Sequence, residues 1–362
     1  ICVIRLDEIG DFVLFTPFLR ALRRTFPNAE ITLIVNPAVF GLAFSCSFVD
    51  RVEKFDPRRK GIFWPYLLPF RAFFFGRRHH CDFAINGRFD SDFRYAASWM
   101  IAGSNAPVRI GWSVRSGRHP ALLDAGKDLL YTSVFRKPPV HELDKAVTLA
   151  VHAGCNIDGE EPIPGLDAAA DVRSALTLNQ DSSRRIRLML FPGGSYANKK
   201  WSLERYVAVL RKLSQDFPLE ILLIGGEGEK EDCHLVRQYL PDATDLCGKL
   251  SLQELYMTAR DCDLYLGSDS GPAHVAAAAG TSTLVLFRSP ATLSPEHQHS
   301  VQRFLPRGKG RIEYLQPERP IPPCKGSCEK DFPHCILQIS EDMVLEKLKE
   351  MIEDLVAKKE NL

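Results

Sequence analysis

Three short stretches place glycine beside charge just after an apolar run: "FPGGSYANKKW" (191–201), "IGGEGE" (224–229) and "GSDSGPAHVAAAAG" (267–280). Small residues let a ligand approach the backbone, and a helix N-terminus adds unpaired N–H groups and the positive end of a dipole. That combination suits a phosphate. In the third stretch Asp269, Ser270 and Gly271 precede a helix of alanines whose early polar side chain is His274. The competing reading is a tight strand-to-helix turn in which Asp269 or Ser270 only caps the helix. In the first stretch Gly193 and Gly194 make the turn, with Lys199 and Lys200 behind it. In the second, Glu227 is placed to accept from hydroxyl groups, with Glu229 as its neighbouring rival. Three such loops in one sheet fit a nucleotide diphosphate group. None has the spacing of a P-loop or of G-x-G-x-x-G, which argues against ATPase and hydride-transfer chemistry.

A second acidic set lies near the start. "RLDEIGDFVLFTP" (5–17) leaves a strand through a glycine and gathers Asp7, Glu8 and Asp11 at a helix start. These carboxylates could simply complement the helix dipole. Alternatively one of them faces a substrate and acts as a general base.

The elements that must hold these loops follow one rhythm. "ICVIRL", "EITLIVN", "VDRVEKFD" and "CDFAING" read as strands, with "FVLFTPFLRALRRTFP" as a helix between the first two. This alternation implies a parallel, doubly wound sheet. The middle of the chain is weaker, and a boundary is expected where Pro, Gly, Ser and charge cluster around 165–184. From 186 the strand–helix rhythm restarts, and "SEDMVLEKLKEMIEDLVAKKENL" reads as a closing amphipathic helix with Ser340 as N-cap. The expected division is 1–172, 173–338 and a C-terminal helix at 339–362. Two similar α/β lobes with a cleft between them are the expected architecture.

The opening stretch, "FPGGSYANKKW" and "GSDSGPAHVAAAAGTSTLVLF" together resemble glycosyltransferase family 9, whose best-known members are ADP-heptose:lipopolysaccharide heptosyltransferases. The resemblance extends over nearly the whole chain, including "HELDKAVTLAVHAG" (141–154). It implies a GT-B fold and an inverting, metal-independent transfer of a sugar from a nucleotide donor, ADP-linked heptose by family habit. The implied acceptor is a lipid-linked saccharide of the lipopolysaccharide core or a related glycan. By the same resemblance Asp11 is the general base and Lys199 contacts the donor phosphates. Glu227 would meet the ribose hydroxyls, and Asp269, Ser270, Gly271 and His274 would hold the diphosphate. Gly193, Gly194, Lys200 and Arg288 are further donor-loop candidates. "FRSPATLSPEH" (287–297) departs from the family pattern, with Arg288 where many members carry glycine and no aspartate after it. The donor sugar is therefore left open. The rival readings are transfer of another nucleotide sugar, a sugar-nucleotide epimerase, and a non-catalytic carbohydrate- or nucleotide-binding relative.

"PPCKGSCEKDFPHC" (322–335) gathers Cys324, Cys328, His334 and Cys335. Zinc is one reading, but the adjacency of His334 and Cys335 argues for a structural loop, reduced or disulfide-closed, and no metal site is expected. "DPRRKGIFWPYLLPFRAFFFGRRHH" (56–80) flanks an aromatic run with basic residues. It reads either as a buried helix or as an interfacial segment on an anionic membrane.

Composition sets the outer limits. A net charge of +1 argues against a general nucleic-acid partner. No apolar run reaches spanning length, and the chain opens on a strand rather than a basic leader and apolar core. The expected location is cytoplasmic, peripheral on the inner face of the cytoplasmic membrane, with reduced thiols.

Overall fold

The apolar runs "CVIR", "TLIV" and "LYLGS" are buried along almost their whole length, as strands covered on both faces by helices must be. The computed structural model describes residues 1–58, 64–89, 95–113, 126–157, 163–166 and 185–360. It divides into two units, Ile1–Ala169 and Ala170–Leu362. The expected boundary at 172/173 falls outside the described residues.

In the first unit the strands are β1 (Cys2–Arg5), β2 (Thr32–Val35), β3 (Arg51–Lys54), β4 (Phe83–Asn86), β5 (Val108–Trp112) and β6 (Ser133–Phe135). They form one parallel sheet in the order β3-β2-β1-β4-β5-β6. The helices between them are α1 (Ile9–Thr25), α2 (Phe40–Phe44), α3 (Trp64–Gly76) and α4 (Ala96–Ser104), and α5 (Glu142–His152) follows β6. Pro17 sits inside α1 and cannot donate to the carbonyl of Val13, but the Thr16 hydroxyl donates to that carbonyl at 2.8 Å. The helix thus continues through its proline with the acceptor satisfied.

The second unit repeats the plan with β7 (Ile186–Phe191), β8 (Leu219–Leu223), β9 (Thr244–Asp245), β10 (Leu264–Ser268), β11 (Ser282–Leu286) and β12 (Ile312–Leu315). Their order is β12-β11-β10-β7-β8-β9, again parallel. Its helices are α6 (Leu203–Asp216), α7 (Lys230–Tyr239), α8 (Leu252–Arg260), α9 (Gly271–Ala279), α10 (Val301–Phe304) and α11 (Glu341–Glu360). Helix α11 begins where the Ser340 hydroxyl accepts the Met343 N–H at 3.2 Å, the expected N-cap. Its apolar residues Val344, Leu348, Met351 and Ile352 join the core built on α6 and the sheet.

In both sheets the strand order reverses at the middle. In the first, strands run outward from β1 on one side and from β4 on the other; in the second, from β7 and from β10. Ligands of doubly wound sheets bind beyond the carboxyl ends of the strands at such a switch point. The acidic stretch after β1 and the loops after β7 and β10 are therefore where topology places a ligand.

The aromatic helix α3 is buried along one side and exposed along the other. Leu68 and Ala72 are completely buried, whereas Tyr66, Leu67, Phe70 and Phe74 are 51–68% exposed. Helical periodicity puts 66, 70 and 74 on one stripe away from the core. The preceding residues 59–63 lie outside the described part of the chain. In α9 the alanines serve packing along the whole helix, beyond any role at its N-terminus. A Cβ on Gly308 would lie 1.8 Å from the Ala277 carbonyl oxygen, so chain passes directly against the α9 backbone. Bulky residues on either side would force that approach apart.

The thiols also depart from expectation. Cys233 on α7 and Cys247 after β9 are joined as a disulfide. Folding carries the end of β9 back beside α7, with the two Cα atoms 6.6 Å apart. A sequence separation of 14 does not reveal that approach.

Candidate functional site

In the second unit the switch point brings the glycine–lysine loop and the serine–aspartate loop together. The Ser268 hydroxyl donates to the Gly193 carbonyl at 2.8 Å, tying the end of β10 to the loop after β7. Gly193 is needed there, because a Cβ would sit 2.2 Å from Cγ of Glu229. Gly194 packs against Lys199 in the same turn. Lys199, itself buried, donates to the Asp269 carboxylate at 3.0 Å and to the Asp269 carbonyl at 2.9 Å.

The capping alternative fails on geometry. Ser270 is the N-cap of α9 with extended backbone, yet its hydroxyl donates to the Ser268 carbonyl at 3.1 Å. Asp269 is held by Lys199, so neither side chain closes the end of the helix. Gly271 opens α9 and His274 is buried in its first turns. The positive end of the dipole is left for another acceptor.

The two lysines separate cleanly. Lys200 turns away to Asp232 on α7 at 2.6 Å, whereas Lys199 faces the start of α9. The two glutamates separate as well. Glu229 accepts the Gly226 N–H at 2.9 Å and closes its own turn. Glu227 stays exposed, paired with Lys230 at 2.8 Å.

Arg288 follows β11 and is buried, with its guanidinium 5.9 Å from the Tyr196 ring. Its Nε has no hydrogen-bond partner among the described residues. Burial pulls its pKa below the usual guanidinium value, against the opposing pull of Cys328 and Asp269. An arginine buried with an idle N–H is costly unless an anion arrives to meet it. His299 belongs to the same group and was not among the sequence candidates. Its pKa falls to about 3, first through burial and then through the charges of Arg288 and Lys199. The imidazole is therefore neutral at physiological pH. The signal in the sequence was "EHQHS" just past the Arg288 loop, and nothing in its spacing distinguished a site residue from a surface one.

In the first unit the switch point holds a charged set of opposite character. Arg5, buried at the end of β1, pairs with Asp7 at 2.8 Å and lies 3.5 Å from Asp11. Arg88, just past β4, pairs with the other oxygen of Asp7. Glu8 is exposed and paired with Arg58 at 2.7 Å. Asp7 is thus committed to two arginines and Glu8 to solvent and a third. Asp11, on the first turn of α1, keeps a quarter of its side chain exposed.

Asp11 also differs in acidity. Its pKa is raised to about 7, chiefly by burial and then by the neighbouring Asp7 charge, with Arg5 pulling the other way. A carboxyl poised near neutrality can accept a proton at working pH. It is not the helix cap, since Glu8 is the N-cap and no side-chain capping bond is made there. The "HELDK" stretch contributes unforeseen neighbours. Glu142 and Lys145 form a buried pair at 2.7 Å, and the Glu142 charge further raises Asp11.

The cysteine loop corrects one geometric expectation. Cys324, Cys328, His334 and Cys335 offer ligand atoms that all lie within 4.8 Å of one another, so adjacency of His334 and Cys335 does not keep them apart.

The chain resembles known proteins along most of its length. The model of glycosyltransferase family 9 (heptosyltransferase) matches residues 90–301. The lipopolysaccharide core heptosyltransferase OpsX of Haemophilus influenzae is 25% identical over 79% of this chain and 78% of its own. Among solved structures, a glycosyltransferase family 9 protein from Veillonella parvula superposes with a TM-score of 0.74 at 18% identity, covering 98% of this chain and 97% of its own. The ADP-heptose lipopolysaccharide heptosyltransferase II of E. coli gives a TM-score of 0.69 at 18% identity, with 99% of each chain covered. These likenesses match the two parallel six-stranded sheets described above and the GT-B architecture. With the family model spanning more than half of its residues, the chain belongs to glycosyltransferase family 9 and is a glycosyltransferase.

Proposed function

We propose that the protein transfers a heptose, with inversion, from an ADP-linked donor onto a lipid-linked saccharide of the lipopolysaccharide core. The second unit binds the donor and the first unit the acceptor. Asp11 takes the proton from the acceptor hydroxyl as its oxygen attacks the anomeric carbon. The bond from that carbon to the phosphate oxygen breaks, and its electron pair leaves with ADP. Lys199, Arg288 and the N-terminus of α9 offset the charge that grows on the leaving diphosphate, without need of a metal ion. Ser270, Gly271 and His274 line the approach to that diphosphate, Asp269 orients Lys199, and Glu227, exposed and paired with Lys230, turns to the ribose hydroxyls.

The observation that carries this reading is the paired contrast at the two switch points. One holds a carboxyl raised to about 7, the other a lysine and an arginine with an idle N–H beside an uncapped helix. The heptose and the lipopolysaccharide core come from the family description and the name of the Haemophilus relative.

The test is a thermal-shift panel of ADP-, UDP- and GDP-linked sugars, followed by transfer to truncated lipopolysaccharide read by mass spectrometry. Saturating donor at about a hundredfold over its Kd stabilises the native state by about 2.7 kcal/mol. ADP-heptose should give the largest shift and a product one heptose heavier. A larger shift with UDP- or GDP-sugars would overturn the donor assignment.

A peripheral position on the cytoplasmic face fits the exposed stripe of Tyr66, Phe70 and Phe74 on α3 beside Arg77 and Arg78. No helix among the described residues is long and apolar enough to cross a membrane. Phe70→Glu with Phe74→Glu should abolish sedimentation with vesicles containing anionic lipid while preserving donor binding. Unchanged sedimentation would remove membrane contact from this helix.

A further inference from the structure

The segment between β12 and the short turn at Cys335–Gln338 contains no helix or strand, yet Cys324 and Cys328 within it and Cys335 at its end are buried. A loop of this length inside a folded unit needs something to hold it. Its apolar support is slight, with Ile321 packed against the three cysteines. The chemistry at its centre is more informative. Cys324 Sγ lies 3.6 Å from His334 Nδ1, and Cys335 Sγ lies 3.4 Å from the same nitrogen. All four ligand atoms fall within 4.8 Å of one another. In a tetrahedral zinc site with Zn–S of about 2.3 Å, neighbouring ligand atoms are about 3.8 Å apart. The cluster needs only a small contraction to reach that geometry.

We infer that Cys324, Cys328, His334 and Cys335 bind one zinc ion in a closed, structural Cys3His site that buttresses the lysine loop. Three thiolates and an imidazole fill the four positions, leaving none for substrate, so the role is structural rather than catalytic. The Glu329 N–H points to Cys324 Sγ at 3.4 Å, the kind of outer contact that steadies a thiolate ligand. A disulfide explains the cluster less well, since three cysteines would leave one thiol over and His334 idle. The structure joins Cys233 to Cys247 but leaves these three unpaired.

The loop touches the donor side directly. Asn198, next to Lys199, donates to the Lys330 carbonyl between the ligands. Trp201 Nε1 donates to Ile339 at 3.0 Å, and Arg205 to Leu337 at 2.8 Å. The effect on donor binding rests on the role proposed for Lys199, whereas the metal site stands on its own ligands.

The experiment measures metal in protein purified under reducing conditions without added metal or a metal-affinity step. One zinc per chain is expected by mass spectrometry, released when a mercurial blocks the thiols. Cys324→Ser with Cys328→Ser should lose it, and Cys81→Ser should keep it. Should the double variant not fold, cobalt exchanged into the wild-type chain should give the intense visible bands of tetrahedral thiolate coordination. Protein that stays zinc-free after incubation with zinc and reductant would overturn the site, as would a native disulfide among these cysteines. Removing the metal should weaken ADP binding about tenfold, an ordinary size for coupling between two sites. Unchanged ADP affinity in zinc-free, folded protein would overturn the buttressing role. Failure of sugar transfer would leave the metal content unaffected, so the two readings fail separately.

Discussion

The two switch points are built on the same strand order yet solve opposite electrostatic problems. In the first unit, Asp7 takes up Arg5 and Arg88, and the remaining carboxyl, Asp11, is left under-compensated with a pKa of about 7. In the second unit the acid is the one fully engaged, because Asp269 is held by Lys199, while the cation Arg288 is under-compensated. The same strand order thus leaves a carboxyl short of charge compensation in one unit and a guanidinium in the other. Groups perturbed in this way at a switch point are where the proposed function places its proton acceptor and its anion receptor.

The largest effect expected is from Asp11→Asn. Transfer should fall roughly a hundredfold to ten-thousandfold, the usual worth of a positioned base, with ADP affinity unchanged by calorimetry. In the wild type, kcat/KM should rise with pH through a midpoint near 7, and this step should vanish in the variant. The stability sign is opposite. The unfolded aspartate loses its proton near pH 4, while the folded one holds it to about 7. Between those values the native state binds more protons, so Asp11 makes stability fall as pH rises. Asp11→Asn should therefore melt no lower than wild type at pH 8, despite its lost activity. A lower Tm at pH 8 or near-normal turnover would break the contrast on the first-unit side.

Next comes Lys199→Ala, expected to weaken ADP binding and transfer together by about tenfold to a hundredfold, the range for a hydrogen bond to charge. It also strands a buried Asp269, so Lys199→Arg is the companion variant that keeps the charge. Arg288→Gly should cost less, several-fold in donor affinity, and should raise the His299 pKa above its value of about 3. Histidine titration followed by NMR reads that shift directly. An unmoved His299 would separate Arg288 from the cationic group. The smallest effect is for Lys200→Ala. It removes a partly exposed pair with Asp232, worth about 0.2–1 kcal/mol, and should leave ADP affinity within twofold. A loss as large as that of Lys199→Ala would reverse the assignment of the two lysines.

Much of the architecture was legible in order along the chain. Continuous apolar runs such as "CVIR" and "LYLGS" mark strands covered on both faces, and their alternation with amphipathic helices such as α6 marks parallel sheets. The glycine loops and the "DEIGD" acids could also be found there, because close approach and charge are properties of residue type. Strands β5, β6 and β12 were not legible. They are short, half-exposed or flanked by proline and glycine, and their pairing partners supply what their own pattern lacks.

The sequence by itself determined the family, the two doubly wound sheets and the set of residues able to meet a phosphate or take a proton, because those depend on local spacing and chemistry. Only the tertiary structure decided among equals. It engaged Asp7, Glu8 and Lys200 with partners of their own, leaving Asp11 under-compensated and Lys199 at the start of α9. It also brought His299 to Arg288, Cys233 to Cys247, and three cysteines and a histidine to one point. The physical reason is the same in each case. The energy of a charge or a thiol depends on burial and on neighbours distant in the chain, and no local pattern encodes those.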